Sequence, residues 1–185
     1  DYRRPDDPNQ DFVYLGHAIE TLWMLMVEAQ RRDDAALFEL AAARFRRHLE
    51  VAWDDVYGGL FRALKVHGTA PVDKVLWAQE EGLIGCMLLC EHTDWDWPSE
   101  WFGRLFGYVE ERFALKPYGY PLYLTSGDRK VTFQPHVGRK ENYHHPRQVM
   151  RNLLAVERLL ACQARSSARQ LPRTRNAPPA VRTAD

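Results

Sequence analysis

No apolar run in this 185-residue chain approaches the roughly 20 residues that a membrane-spanning helix needs, so a membrane partner is not expected. A positively charged start followed by an apolar stretch is missing as well, and with it the pattern of a secretory signal. Net charge is absent: 25 basic and 25 acidic residues cancel, which argues against a dedicated nucleic-acid or membrane-surface protein. Cysteine is scarce. Of the three, Cys86 and Cys90 stand four apart in an apolar stretch, which suits two buried thiols better than a disulfide, and no further Cys or His at short spacing makes a zinc set with them. That usage fits a reducing, cytoplasmic compartment. The initiator Met is also lacking, and the start at Asp1-Tyr2-Arg3-Arg4-Pro5 leads us to expect a piece of a longer protein. What remains is ordinary globular chemistry: 45% hydrophobic residues, enough for one moderate domain.

Hydrophobic spacing predicts helices over about Phe12–Gln30, Ala35–Val51, Lys74–His92, Ser99–Phe113 and His145–Ala164. The first is stopped by the charged turn Arg31-Arg32-Asp33-Asp34, the fourth is capped by Ser99 after Pro98, and the last has Pro146 in its first turn. The last helix is carried on Val149, Met150, Leu153, Val156 and Leu160. Between helices, Trp53-Asp54-Asp55-Val56-Tyr57-Gly58-Gly59-Leu60-Phe61 has turn chemistry, and Leu60–Leu64 reads as a short strand ending before Gly68. Residues 1–10 read as a lead-in. From Lys116 to Lys140 the chain reads as an irregular or hairpin segment, with Pro121–Phe133 turning at Ser126-Gly127-Asp128. Residues 1–164 form one domain of stacked helical hairpins, and the Arg- and Pro-rich tail, 165–185, reads as disordered. Its arginines are dispersed without interleaved aromatics, so a nucleic-acid arm is the weaker reading.

Three places carry chemistry that a plain helical bundle does not need. In Gly16-His17-Ala18-Ile19-Glu20, Leu15, Ile19, Leu22 and Met26 share one helix face while His17, Glu20 and Met24 lie opposite. Both faces are therefore expected to be covered, with His17 and Glu20 held as an acid–base pair at low solvent access. In the third helix, Trp77, Glu81, Ile84, Gly85 and Leu88 form one stripe, with Glu80 turned away. Glu81 either reaches water or pairs with an Arg, or it faces a pocket beneath Trp77, where an aromatic plate beside a carboxylate suits a sugar ring. The third place is Tyr143-His144-His145-Pro146-Arg147. Two histidines, an Arg and a Tyr at a helix start can hold an anionic oxygen, although capping alone would also explain them. A metal site drawn through His17, Glu20, His144 and His145 lacks the paired Glu-x-x-His segments of carboxylate-bridged bundles, so no metal is expected.

These segments resemble, in order, motifs of the N-acylglucosamine 2-epimerase family, which includes cellobiose 2-epimerases and mannose isomerases. Gly16–Glu20 resembles its Gly-His-x-x-Glu helix, and Asp54–Phe61 its Asp-x-x-Tyr-Gly-Gly-hydrophobic-Phe turn. Trp77–Glu81 is similar to its Trp-x-x-Gln-x-Glu helix start, and Tyr143–Arg147 to its aromatic-His-x-Pro-Arg segment. The resemblance implies an all-α fold, the C-terminal half of an (α/α)6 barrel with short β-hairpin loops. It implies an isomerase acting on an open-chain sugar: His17 and His144 transfer a proton at C2 through a cis-enediol, with Glu20 orienting His17 or holding a hydroxyl. Trp77, Glu81, Arg147 and Tyr143 would bind substrate, and no redox or metal cofactor is required. A lone half would expose the barrel's inner seam. The chain departs from the family where Leu76-Trp77 replaces Trp-Trp, at Lys116–Tyr123, and at Glu141-Asn142. These positions shape the pocket and leave open both the sugar and the choice of epimerisation or isomerisation. A non-catalytic carbohydrate- or protein-binding barrel is the alternative. A hydrolase using Glu20 and Glu81 is weaker, since it needs the two carboxylates opposed across a cavity. The oligomeric state is open, a homodimer included.

Overall fold

The computed structural model describes residues 12–65, 71–116, 126–130 and 143–170. The lead-in 1–10, Gly68, most of the 116–140 segment, Glu141-Asn142 and residues 171–185 lie outside the described residues.

Backbone pairing overrides helical spacing at two helix starts. Phe12–Tyr14 (β1) pairs antiparallel with Ala63–Lys65 (β2), Phe12 opposite Lys65, so the first helix, α1, begins only at Leu15 and runs to Arg31. Lys74–Val75 (β3) likewise pairs with Ser126–Gly127 (β4), and α3 spans Leu76–His92. Ser126-Gly127 is therefore strand rather than the tip of a turn. The turn follows it, where Asp128 Oδ1 accepts from the Lys130 amide at 2.9 Å.

The charged stop behaves as expected. Asp33 takes φ 55°, and Asp34 Oδ1 then caps α2 (Ala35–Ala52) by accepting from the Leu37 amide at 3.0 Å. α4 runs Trp97–Arg112, starting two residues before Ser99 because Pro98 fits a first turn that needs no amide there. Ser99 Oγ donates back to the Asp96 carbonyl instead of capping. α5 runs His144–Gln170, longer at both ends than its spacing predicts.

The Asp54–Phe61 turn is built around a buried ion pair. Asp54 accepts from the amides of Val56 and Tyr57 (2.9 and 3.3 Å), from Lys74 Nζ (2.9 Å) and twice from the Arg129 guanidinium (2.8 Å each). Burial alone would push this carboxyl up, but Arg129 and Lys74 hold it well below the usual carboxylate range. Gly59, at φ 78°, lies so close under the Tyr108 ring that a Cβ would sit 2.2 Å from it. Lys74 ties this turn to the β3–β4 pair, because its ammonium also donates to the carbonyls of Gly58 and Arg129.

The helices fall into two layers. α1, α3 and α5 run parallel: Gly16 lies against Trp77 and Trp23 against Glu81, while His144 meets Glu81 and Arg158 pairs with Glu91. α2 runs the other way behind them, with Phe45 against Gly85 and Leu49 against Gly82, and α4 returns from α3 through the short connection 93–96. Between the layers lies one core containing Ile19, Trp23, Met26, Phe45, Leu49, Leu60, Leu83 and Leu105, all but closed to solvent. Each such side chain contributes roughly 1.5–3 kcal/mol by leaving water. An inner row of parallel helices backed by an antiparallel outer row is the arrangement of part of an (α/α)6 barrel.

Burial departs from the sequence expectation on three helices. α3 is enclosed by α1, α2, α4 and α5, so Glu80 is buried rather than turned away, at 1% exposure. On α1 the face opposite the core is not covered by any described element: His17 is exposed and Met24 is 39% exposed. On α5 the buried residues are Asn152 and Ala155, whereas Val149, Met150, Leu153, Val156 and Leu160 are exposed. The hydrophobic stripe of α5 points away from the helix it packs against. Cys86 is buried, Cys90 half-buried, and neither is in a disulfide.

Candidate active site

Because α1, α3 and α5 are parallel, their first turns lie at one end of the bundle. His17 is the third residue of α1, Trp77 the second of α3 and His144 the first of α5. Trp77 is the common neighbour of both imidazoles: its ring centroid is 5.0 Å from that of His17 and 5.0 Å from that of His144. Gly16 makes this approach feasible, since a Cβ there would lie 2.4 Å from the indole. Tyr14 flanks His17 at 5.5 Å, and Tyr143 stands edge-on to His144 at 5.0 Å.

One carboxylate joins the three helices behind these rings. Glu81 is fully buried; its Oε2 accepts from Trp23 Nε1 at 2.6 Å, and its Oε1 accepts from His144 Nδ1 at 2.8 Å and Arg147 Nη2 at 2.5 Å. The alternative in which Glu81 reaches water is excluded by this burial, and the pairing with an Arg is what occurs. Glu20 accepts from the same Arg147 Nη2 at 2.7 Å, so its partner is Arg147 on α5 rather than His17 one turn away. Arg147 also donates to Tyr143 Oη at 2.7 Å and lies over the rings of Tyr143 and Trp23. Burial works against its charge, but the Glu20 and Glu81 carboxylates outweigh that cost and raise its pKa further.

The arrangement has a definite proton logic. A carboxylate only accepts, so Glu81 places the proton of a neutral His144 on Nδ1 and leaves the lone pair on Nε2. The 3.2 Å approach of Arg147 Nη2 to that Nδ1 is then a contact between donors, bridged by the oxygen they share. His144 is thus held in the tautomer of a general base, with 17% of its side chain accessible.

Oxygens of Glu20 and Glu81 and a nitrogen of His144 converge to within 4.8 Å, the spacing of a metal ligand set. Nη2 of Arg147 contacts all three residues, so a guanidinium already supplies the positive charge there. The same guanidinium bridges the two carboxylates that a hydrolase would need on opposite sides of a bond.

The structure brings together every residue singled out in the sequence, with His17 joined through Trp77 alone. Trp23 was missed, Glu80 was read as turned away, and His145 was named only as one of the histidine pair at the helix start. A Trp in an apolar stripe needs an acceptor for its indole N–H, and Glu81 is that acceptor, which is the signal that could have found Trp23.

The profile of the N-acylglucosamine 2-epimerase (GlcNAc 2-epimerase) family matches residues 5–147. The chain belongs to this family. A structure titled D-mannose isomerase superposes with a TM-score of 0.67 at 18% identity, covering 78% of this chain and 37% of that one. A sugar epimerase from a ruminal bacterium gives 0.63 at 19%, covering 76% and 37%, and the cellobiose 2-epimerase of Bacillus thermoamylovorans gives 0.58 at 18%, covering 67% and 32%. No curated protein sequence matches the chain. At these identities the likeness is one of fold, and it extends over little more than a third of the length of the solved family structures. The fold is that of part of the family's (α/α)6 barrel.

Proposed function

We propose that this chain is the C-terminal half of the barrel of a sugar 2-epimerase or aldose–ketose isomerase acting on an open-chain reducing sugar. The observation that carries the reading is His144 itself: Nδ1 held by the buried Glu81 carboxylate, Nε2 left as base, beside an indole that also touches His17. In the proposed reaction one imidazole removes the C2 proton of the open-chain aldose. The electron pair of the C–H bond becomes the C1–C2 double bond, and the carbonyl oxygen takes a proton to complete a cis-enediol. Return of a proton to the opposite face of C2, with loss of the O1 proton, gives the epimer. Return to C1, with loss of the O2 proton, gives the ketose.

Proton transfer by two positioned imidazoles contributes about 10²–10⁴-fold each. The amides of three first helical turns point to the same end, and their partial positive charge favours the oxygen that gains charge as the C–H bond breaks. Trp77 offers its plate to the sugar's C–H face, and Tyr143 and Glu20, both held by Arg147, offer oxygens to hydroxyls. The acidity of a proton next to a carbonyl makes a metal or redox cofactor unnecessary for this step. Among the structurally similar proteins, one is named for D-mannose and another for cellobiose; both sugars have the required free aldehyde.

The test is product analysis with the native full-length chain on mannose, glucose, N-acetylmannosamine and cellobiose. Formation of a C2 epimer or ketose, lost on His144→Ala and on His17→Ala while binding persists, is the expected result. A folded protein that binds these sugars and converts none of them has the binding-module function instead.

A further inference from the structure

Beside the Glu81–His144 pair lies a second one that the proposed chemistry does not use. Glu80 Oε1 accepts from His145 Nδ1 at 2.5 Å. The carboxylate is buried at 1% exposure, and 31% of the imidazole side chain is accessible. Two consecutive glutamates on α3 thus meet two consecutive histidines on α5 in crossed order, Glu80 with His145 and Glu81 with His144. In the motifs given above, Trp-x-x-Gln-x-Glu and aromatic-His-x-Pro-Arg, both Glu80 and His145 fall on positions left open. Neither residue is among those that carry the family resemblance.

Taking a carboxylate out of water is costly unless a charged or hydrogen-bonded partner receives it, so an enclosed Glu80 needs a reason. The start of α5 supplies one. Tyr143, the residue before its first turn, is not a Ser, Thr, Asp or Asn that caps with its side chain; its backbone carbonyl accepts from the Arg147 amide at 3.2 Å. Pro146 brings no amide to the first turn. The bonds that His144 and Arg147 make to α3 converge on one oxygen, Glu81 Oε1, and the further bond of Arg147 goes to Glu20 on α1, so α3 itself holds that turn at one point. Neighbouring residues on a helix point about 100° apart, so a second bond from Glu80 to His145 fixes rotation as well as position. His144 Nε2 is then aimed by the backbone it rides on.

We propose that Glu80 and His145 are a positioning pair: by locking the first turn of α5 to α3 they hold His144 against Glu81, setting the rate of proton transfer rather than the affinity for sugar. The proposal rests on the isomerase reading for its kinetic consequence and on geometry alone for its structural one, so the two can fail separately.

The experiment uses the native full-length chain with His145→Ala, His145→Gln, Glu80→Gln and the double variant Glu80→Gln/His145→Gln. The Gln at 145 keeps a donor for Glu80. Two readouts are taken: kcat and KM on the sugar that the wild type converts, and the 15N resonances of the His144 ring, which report its tautomer without any substrate. His145→Ala is expected to lower kcat about tenfold to a hundredfold, the usual effect of removing the partner that orients a functional histidine, with KM within about twofold. His145→Gln should recover most of that loss. The double variant should be no worse than Glu80→Gln alone, because a pair acting as a unit is lost once. In the wild type the His144 resonances should show Nδ1–H, and in His145→Ala a mixture of tautomers. If kcat stays within twofold, if the loss appears in KM, or if the His144 tautomer is unchanged in folded variants, the proposal is overturned. If the wild type converts no sugar, the isomerase reading fails while the tautomer comparison still decides the positioning role.

Discussion

Replacing Glu81 by Gln tests whether one buried carboxylate holds the inner helices together. The side chain is fully buried and receives three donors from two other helices: Trp23 Nε1 at Oε2, and His144 Nδ1 and Arg147 Nη2 at Oε1. A glutamine of the same shape has one acceptor oxygen and one NH2. If the oxygen stays with His144 and Arg147, the NH2 faces the indole N–H, and a buried unpaired donor costs about 1–3 kcal/mol. The other orientation strands two donors and is worse. Arg147, with 14% of its side chain accessible, also loses one of its two carboxylates. Breaking a buried ion pair outright costs about 3–5 kcal/mol, and the surviving Glu20 partner offsets part of that. The expected total is about 3 kcal/mol, measured by urea unfolding of the native full-length chain at pH 7. Trp23→Phe alone, which removes one charge-assisted bond, should cost about 2 kcal/mol. The double variant should cost at least about 1 kcal/mol less than the sum, because the amide then faces no indole. A loss below about 0.5 kcal/mol for Glu81→Gln, or strict additivity, would refute the reasoning.

Two other expectations are checked as simply. Asp54 has its carboxyl held below the usual range by Arg129 and Lys74, so its contribution to stability is complete above the unfolded value of about 3.9 and is lost as pH falls toward the folded value. Asp54→Asn should therefore cost about 3 kcal/mol at pH 7, by leaving the buried Lys74 without its counter-ion, and flatten the decline in stability below about pH 4; an unchanged acid limb in denaturant titrations contradicts this. Gly16→Ala would place a methyl 2.4 Å from Trp77, forcing the indole away from His17, and a shift of about 1 Å at a reacting site can cost about a hundredfold in kcat/KM. An unaltered kcat/KM would mean that the ring is not part of the site.

The fold was legible because helical spacing is strong in this chain, and five helices stand where it indicates. Their ends were less so: Phe12–Tyr14 and Lys74–Val75 have helix-compatible residues, but strand partners distant in sequence, Ala63–Lys65 and Ser126–Gly127, take their backbone groups. Burial was misread on α3 because other helices pack on it from several sides. α3 is enclosed all round, so the Glu80 that spacing turns outward is buried as deeply as Glu81. The site residues were found by chemistry out of place, a Glu in an apolar stripe and a His pair at a helix start. Their partners were not, since nothing local says that Glu20 meets Arg147, 127 positions away. The exposed stripe on α5 and the open face at His17 and Met24 were read as core because both are apolar enough to be covered.

The central claim is proton transfer at sugar carbon by His144 and His17, and solvent deuterium reports it directly. Proton NMR of mannose or cellobiose incubated in D2O with the native full-length chain should show deuterium entering at C2 or C1. The exchange should vanish with His17→Ala and with His144→Ala. Exchange that survives loss of either imidazole, or an epimer that forms without any deuterium from solvent, would contradict the account.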